Sequence, residues 1–289
     1  MDIQKLNIQW YPGHMTKAKR MMNENISLVD IVIELVDARI PLSSKNPDID
    51  DLAKNKYRII ILNKTDLANE AATNQWVKYF QNKGFKVILA NSINGKGLAE
   101  VTTVSRELMK EKIERDKARG RIYRPIRAMI AGIPNVGKST FINKFVGKNT
   151  AQTGDKPGVT KGKQWIKIKK DFELLDTPGI LWPKFEDYES ALKLAFTGAI
   201  KDEIIDLPTL AYEFIECIKK IDINILKTRY KIEFDMDTPP HEVFDSIARA
   251  RGFLKAGNTI DFERTAKIIF DEFRGGKLGK ITLELPEEK

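Results

Sequence analysis

Residues 132–139, GIPNVGKS, have the residue types and the spacing of a phosphate-binding loop. They fit the pattern G-x-x-x-x-G-K-[ST], in which glycines let backbone N–H groups approach phosphate oxygens without a Cβ clash. Lys138 can neutralise the β- and γ-phosphates and so support catalysis, and the Ser139 hydroxyl can bind Mg²⁺. An apolar run precedes the loop, and a predicted helix begins at Lys138, so its N-terminus adds partial positive charge. The pattern predicts a nucleoside triphosphate site.

A second segment that can face phosphate lies at residues 174–179, LLDTPG. Asp176 ends a predicted strand, where its carboxylate can hold Mg²⁺ through a water, and the Gly179 amide can sense a γ-phosphate. Between the two segments, Thr160 is a candidate switch threonine, which would cap Mg²⁺ and support catalysis when the γ-phosphate is present. A plain mobile loop is the alternative for the residues around Thr160.

Residues 63–66, NKTD, have side chains that can recognise a nucleotide base, and we call this segment the base reader. The Asp66 carboxylate can accept both the N1–H and the 2-amino group of guanine. Adenine has an acceptor at N1 and no 2-amino group, so it would leave that carboxylate unpaired, which selects strongly against it. Asn63 can bond the base edge and pin the loop, while the Lys64 stem can cover the base plane.

The next predicted strand ends near Asn91 and Ser92, where a backbone N–H could meet guanine O6. The predicted nucleotide-binding residues are Asn63, Lys64, Asp66, Asn91, Ser92, Asn135, Val136, Gly137, Lys138, Ser139, Thr140 and Gly179. The predicted ligand is GTP or GDP with Mg²⁺. A P-loop ATPase that carries N-K-x-D by chance is the alternative. The base reader precedes the phosphate loop along the chain, which reverses the usual order of these motifs.

The composition favours a globular protein with a polyanionic partner. Hydrophobic residues make up 42% of the 289 residues, and 49 Lys and Arg against 40 Asp and Glu give a net charge of +9. This excess favours RNA, DNA or an anionic membrane face, with a merely soluble basic protein as the alternative.

Cys217 is the only cysteine, which excludes an intrachain disulfide. Because no apolar run approaches signal-peptide or membrane-spanning length, we expect a cytoplasmic protein without a membrane partner.

Apolar runs that are typical of strands alternate with helical patterns over the first two-thirds of the chain. Such alternation predicts an α/β fold with a doubly wound, mostly parallel sheet. From about residue 187 the apolar residues keep helical spacing and no strong strand pattern intervenes, which predicts an all-α C-terminal domain. The expected domains are 1–185, including an N-terminal arm over 1–25, and 186–289.

Taken together, the motifs resemble the YlqF/YawG class of circularly permuted GTPases. The likeness rests on N-K-x-D placed before G-x-x-x-x-G-K-S and D-x-x-G, on WYPGHMTKAKR near the N-terminus and on DARIP, and it spans essentially the whole chain. It implies a P-loop GTPase domain in circularly permuted order, followed by a helical domain that binds RNA or the ribosome. It also implies a factor in late maturation of the large ribosomal subunit, which binds its rRNA in the GTP state and leaves after hydrolysis. We expect a monomer.

Two basic clusters in the tail, at residues 247–252 and 274–280, suit this interpretation. Solvated helix faces are the alternative for either cluster alone. A nucleotide-gated RNA-binding module with incidental GTPase activity is the alternative function.

The group that would position the attacking water is not the usual one. Many GTPases place Gln directly after D-x-x-G, but here that position is Ile180, which has no hydrogen-bonding group. Asn135 resembles an asparagine that supports a K⁺ near the phosphates in several such GTPases, with a loop-stabilising role as the alternative. The resemblance also suggests His14 as a catalytic group that reaches the site when the ribosome is engaged. An RNA-facing or structural histidine is the alternative for His14.

Overall fold

The computed structural model describes residues 13–120, 124–147, 164–176 and 188–287, and it leaves the side chains of residues 13–18, 164 and 176 undescribed. The described residues divide into two compact units, one comprising residues 13–176 with 285–287 and the other residues 188–284. Each unit has its own apolar core, and each is described separately below.

The first unit is built from the strands and helices that the alternating sequence pattern predicts. Its strands are β1 (Ile31–Asp37), β2 (Tyr57–Asn63), β3 (Lys86–Leu89), β4 (Ile126–Gly132), β5 (Gln164–Lys169) and β6 (Phe172–Asp176). Its helices are α1 (Gly13–Asn25), α2 (Pro47–Leu52), α3 (Glu70–Asn82), α4 (Leu98–Ala118) and α5 (Lys138–Val146).

These strands form one sheet in the order β3-β2-β1-β4-β6-β5. All neighbours pair in parallel except β5, which runs antiparallel to β6, so the prediction of a mostly parallel sheet is confirmed. Asp37 aligns with Asn63 at the ends of β1 and β2, and Gly132 ends β4 on the other side of β1. The order reverses at β1, and the carboxyl edge beside such a switch point is where open α/β sheets bind ligands.

Helices cover both faces of this sheet. On one face Val32 and Met129 belong to a core cluster that includes Met22 of α1. On the other face lies α5, where the Phe145 ring meets Phe172 of β6 edge-on, with the centroids 6.1 Å apart. Helix α1, part of the predicted N-terminal arm, is therefore packed onto the sheet through Met22.

The second unit is mainly helical and is built around phenylalanines. Its elements are α6 (Tyr188–Phe196), α7 (Leu207–Asp222), α8 (Asn224–Tyr230), α9 (Pro240–Ala250), β7 (Leu254–Lys255), β8 (Thr259–Ile260) and α10 (Phe262–Arg274). Phe214 of α7 lies at the centre, with its ring centroid 5.2 Å from that of Phe196 and 4.9 Å from that of Phe273. The antiparallel pair β7–β8 between α9 and α10 is a detail that the helical spacing did not reveal.

The two basic clusters of the tail differ in their surroundings. Arg249 and Arg251 are exposed, although Arg251 also reaches the Glu272 carboxylate at 3.5 Å. Arg274 is instead a structural residue, because it binds the carbonyls of Ala195 and Phe196 and the carboxylate of Asp202. Among the described residues, no helix is both long enough and apolar enough to cross a membrane.

Candidate nucleotide-binding site

The loop between β4 and α5 has the backbone of a phosphate cradle. Gly132 and Gly137 have φ angles of 152° and 98°. A Cβ on Gly132 would lie 2.7 Å from the Leu35 carbonyl oxygen, and one on Gly137 would lie 2.6 Å from Nδ2 of Asn63. Both positions therefore require glycine, and the residues present fit the triphosphate that the motif predicts.

The first turn of α5 brings the phosphate-binding side chains to this loop. Lys138 is the first helical residue and is buried, with its Nζ 3.1 Å from the Gly132 oxygen and 3.0 Å from the Ile133 oxygen. Ser139 is half-buried and Thr140 is exposed. The ammonium group and the helix N-terminus thus add positive charge at the mouth of the loop.

Asn63 joins the base-reading loop to the phosphate loop. It is buried at the end of β2, where its Nδ2 donates to the Val136 carbonyl at 2.8 Å. Its Oδ1 accepts from the Ser92 backbone N–H at 3.1 Å and from the Ser92 hydroxyl at 2.8 Å. The predicted pinning role of Asn63 is therefore visible in the structure, while its contact with a base stays a prediction.

Lys64 makes a second connection between the same loops. Its Nζ donates to the backbone carbonyl of Asn135 at 2.7 Å and to Oδ2 of Asp37 at 2.9 Å. Lys64 and Asn135 have φ angles of 62° and 56°, a left-handed conformation that non-glycine residues seldom adopt. The two contacts hold the lysine stem beside the phosphate loop, and its contact with a base plane stays a prediction.

Asp37 is itself held by Arg39, and both residues are almost fully buried. The Arg39 Nε and a terminal nitrogen donate to the two carboxylate oxygens at 2.9 and 2.8 Å. Burial alone would raise the pKa of Asp37, but the charges of Arg39 and Lys64 outweigh it and hold that pKa well below its usual range. The carboxylate is therefore ionised at neutral pH.

Asp66 lies exposed in the turn that follows Lys64. The turn is fixed by the Leu67 N–H, which donates to the Lys64 oxygen at 2.9 Å, and by the Thr65 hydroxyl, which donates to the Ala90 oxygen at 3.1 Å. An exposed carboxylate on a fixed turn can receive a ligand without first breaking an internal bond.

The loop after β3 is shaped by the Asn91 side chain, whose Oδ1 accepts from the N–H groups of Ile93 and Asn94. The Asn91 and Ser92 N–H groups donate to the Lys96 oxygen and to Asn63, respectively. Both N–H groups are thus engaged within the protein, and a direct N–H contact with guanine stays a prediction.

Other predicted site residues are placed only in part. Asp176 ends β6, beside the strand that leads into the phosphate loop. His14 is the second residue of α1. Thr160, Gly179 and the residue after it lie outside the described residues, so their roles in Mg²⁺ binding and catalysis stay predictions.

Comparison with known proteins supports the same interpretation. Residues 127–236 match the family described as "50S ribosome-binding GTPase". Over 281 residues the chain is 50% identical to ribosome biogenesis GTPase A of Bacillus cereus, covering 97% of this chain and 95% of that one.

The chain belongs to the ribosome biogenesis GTPase A family.

More distant relatives extend this result to solved structures. The family member from Thermotoga maritima is 34% identical over 97% of this chain and 95% of its own. A crystal structure of GNP-bound YlqF from T. maritima covers 94% of this chain and all of its own at a TM-score of 0.64 and 32% identity. The P-loop GTPase fold and the enzymatic activity, GTP hydrolysis, follow from this family membership.

The span matched by the GTPase family model contains the phosphate loop but not residues 63–66. This is the pattern expected of a ribosome biogenesis GTPase A chain in which the base reader precedes the phosphate loop. In space the two motifs are joined by Asn63 and Lys64, so their reversed order leaves one site.

Sequence reasoning did not predict a site role for Asp37 and Arg39. The DARIP motif served only as a mark of family resemblance, although its position offered a signal. A polar residue that ends a buried strand at the carboxyl edge of a parallel sheet faces the ligand region.

Proposed function

We propose that this GTPase assists late maturation of the large ribosomal subunit, binding its rRNA in the GTP state and leaving after hydrolysis. The observation that carries the proposal is the joining of a base-reading loop to a phosphate loop by Asn63 and Lys64. The Bacillus cereus relative is named ribosome biogenesis GTPase A and the matching family is described as "50S ribosome-binding GTPase", and both support a ribosomal partner.

We assign residues 1–185 to the permuted GTPase domain and 186–289 to a helical domain that binds rRNA. The net charge of +9 suits a polyanionic partner. The protein acts in the cytoplasm as a monomer.

In this proposal each loop has a defined task toward GTP. Asp66 accepts the N1–H and 2-amino group of guanine, and the Lys64 stem covers the base plane. The backbone N–H groups of the phosphate loop and the Lys138 ammonium bind the β- and γ-phosphates. Ser139, Thr160 and Asp176 would hold Mg²⁺, which when bound neutralises charge on the phosphate oxygens.

Hydrolysis needs a group that Ile180 cannot supply. We assign the orientation of the attacking water to His14, near the start of α1, whose Met22 packs onto the sheet. Asn135 would support a K⁺ close to the phosphates, where a cation stabilises developing negative charge.

The test is the rate of GTP hydrolysis as large ribosomal subunits are added, measured in K⁺ and in Na⁺. We expect strong stimulation by the subunit and a higher rate in K⁺. His14→Ala should lose the stimulation, and His241→Ala, which changes the other histidine, should keep it. A rate that is independent of added subunits would overturn the proposal that hydrolysis is coupled to the ribosome.

The absence of a glutamine at position 180 favours one alternative, a nucleotide-gated RNA-binding module with incidental hydrolysis. Affinity for the large subunit separates the two functions when it is measured with a GTP analogue and with GDP. Tighter binding with the analogue but no stimulated turnover would support the module. Equal affinities in both states would contradict both.

A further inference from the structure

Two cations share the Asp37 carboxylate, although one would neutralise it. Arg39 already engages both oxygens through two N–H groups of its guanidinium and adds its own backbone N–H at 3.0 Å. A buried carboxylate with such a bidentate partner is compensated for its loss of water. The Lys64 contact is therefore not needed to satisfy Asp37.

The contact matters more for Lys64 than for Asp37. Lys64 is a flexible side chain on a left-handed backbone, and 22% of its side chain is exposed. A lysine stem has several rotamers that cost little to exchange, so a free Lys64 would sample many positions in the site. Its ammonium is instead held between Oδ2 of Asp37 and the Asn135 carbonyl, at 2.9 and 2.7 Å.

We propose that Asp37 is a positioning residue for guanine nucleotides: it holds the Lys64 ammonium against the Asn135 carbonyl, so that the base-reading and phosphate loops keep one geometry. The inference rests on the proposed placement of Lys64 on the base side of the site. Asp37 itself touches no nucleotide and acts through Lys64.

The register of the sheet makes this arrangement possible. Asp37 and Asn63 are aligned partners at the ends of β1 and β2, so Lys64, one residue later, leaves the sheet beside Asp37. Two hydrogen bonds close the turn after β1. The Asp37 N–H donates to the Ser44 hydroxyl at 2.9 Å, and the Ile40 N–H donates to the backbone carbonyl of Asp37. These two bonds fix the backbone from which the Asp37 carboxylate projects.

The first measurement is GDP affinity by calorimetry together with KM and kcat for GTP. Because a hydrogen bond to a charged group is at stake, Asp37→Asn should weaken GDP binding and raise the KM for GTP by about tenfold. The kcat at saturating GTP should not change, because bound nucleotide reorders the loops. Asp51→Asn, the same change at an exposed carboxylate, should keep the wild-type affinity.

The second measurement is a double-mutant cycle with Lys64→Met. If Asp37 acts through Lys64, the double variant should bind GDP no more weakly than Lys64→Met alone. Losses that simply add would show that Asp37 serves the fold, and would overturn the inference. If Asp37→Asn alone does not fold, the double variant Asp37→Asn, Arg39→Gln replaces it in the cycle with Lys64→Met. That variant leaves no uncompensated guanidinium inside the protein.

The results separate this inference from the proposed site. If Lys64→Met binds GDP as tightly as the wild type, the placement of Lys64 beside the base is wrong. If Lys64→Met binds weakly but folded Asp37→Asn, alone or paired with Arg39→Gln, binds like the wild type, the site stands and only the positioning role fails.

Discussion

At the scale of single residues, Asn63 shows that side chains of this site form hydrogen bonds to other parts of the protein. Both ends of its amide bind the protein, one at the phosphate loop and one at Ser92. An asparagine fits this position because it offers a donor and an acceptor on one flat group. Removal of either contact would free one of the two loops that meet at the nucleotide.

The close approach of Asn63 makes Gly137 a sensitive position. We expect Gly137→Ala to weaken GTP binding at least about tenfold, because a Cβ there would push against Asn63 Nδ2 and strain a φ of 98°. Calorimetric titration with a non-hydrolysable GTP analogue measures the effect.

Gly147 provides the matched control for that substitution. It has a φ of 74°, and a Cβ there would meet nothing within 4 Å among the residues that the structure describes. Gly147→Ala should cost about 1 kcal/mol of unfolding free energy and leave GTP affinity unchanged. If both variants bound GTP equally well, steric closure at residue 137 would not explain the need for glycine.

The residue types predicted the chemistry of the site, but they did not predict the contacts within it. The types in GIPNVGKS and NKTD were enough to predict phosphate and guanine chemistry. They could not show that the Lys64 ammonium lies between Asp37 and Asn135, because that contact depends on the register of β1 and β2. Segments far apart in sequence meet only once that register is set.

At the scale of elements, the buried carboxylate of Asp30 connects the start of β1 to neighbouring elements. Asp30 accepts hydrogen bonds from Lys112 on α4, from Arg124 and from the Arg127 N–H of β4. Burial alone would raise the pKa of Asp30, but these hydrogen bonds lower it below its ordinary value. The cluster therefore ties the long helix α4 to the sheet at the edge away from the nucleotide.

We expect Asp30→Asn to lower the unfolding free energy at pH 7 by about 1–2 kcal/mol, a modest loss since Lys112 and Arg124 can rehydrate. A lowered folded-state pKa contributes stability above the unfolded-state pKa and loses it as the pH falls through the folded-state value. The difference from wild type should thus shrink below about pH 4.

Urea unfolding between pH 7 and pH 3 measures this dependence. Glu114→Gln, an exposed change on α4, should show no comparable effect. A difference for Asp30→Asn that stayed constant with pH would contradict the assigned charge network.

Arg274 has the corresponding role in the second unit, where it joins α10 to the end of α6. It donates to the carbonyls of Phe196 and Ala195 and pairs with the Asp202 carboxylate at 2.7 and 2.9 Å. These carbonyls lie at the C-terminus of α6, where a cation is favoured.

Arg274→Ala should lower the unfolding free energy by about 2–3 kcal/mol, and Arg274→Lys should recover little because an ammonium cannot span all three partners. Arg249→Ala, an exposed arginine on α9, is the control and should change stability by less than about 0.5 kcal/mol. Thermal unfolding compares the variants. A fully stable Arg274→Lys variant would show that charge alone matters.

Most elements could be predicted from the apolar pattern, because the long helices bury one face and a central strand such as β1 is buried along its whole length. The pair β7–β8 could not, because two-residue strands such as Leu254–Lys255 are too short to show an alternation. The helices predicted on either side of this pair were correct, but their apolar spacing gave no sign of the two strands between them.

At the scale of the whole molecule, the reversed order of motifs does not disturb the site. Position in the sheet decides which loops meet, and β2 and β4 lie on either side of β1 whatever their order along the chain. The rearrangement changes which segments continue from the site: the chain after Gly179 leads into the second unit. We propose that the state of the nucleotide is passed through this segment to the second unit, the proposed RNA-binding domain.

The central claim is that NKTD reads guanine beside a phosphate loop that follows it in sequence. The most direct test is the affinity of Asp66→Asn for GTP and for xanthosine triphosphate, with exposed Asp51→Asn as the matched control. An amide at position 66 can donate to the 2-oxo group of xanthine. Guanine recognition by Asp66 predicts that GTP binding weakens at least about a hundredfold while xanthosine triphosphate binding improves. An Asp66→Asn protein that keeps the full GTP preference of the wild type would contradict it.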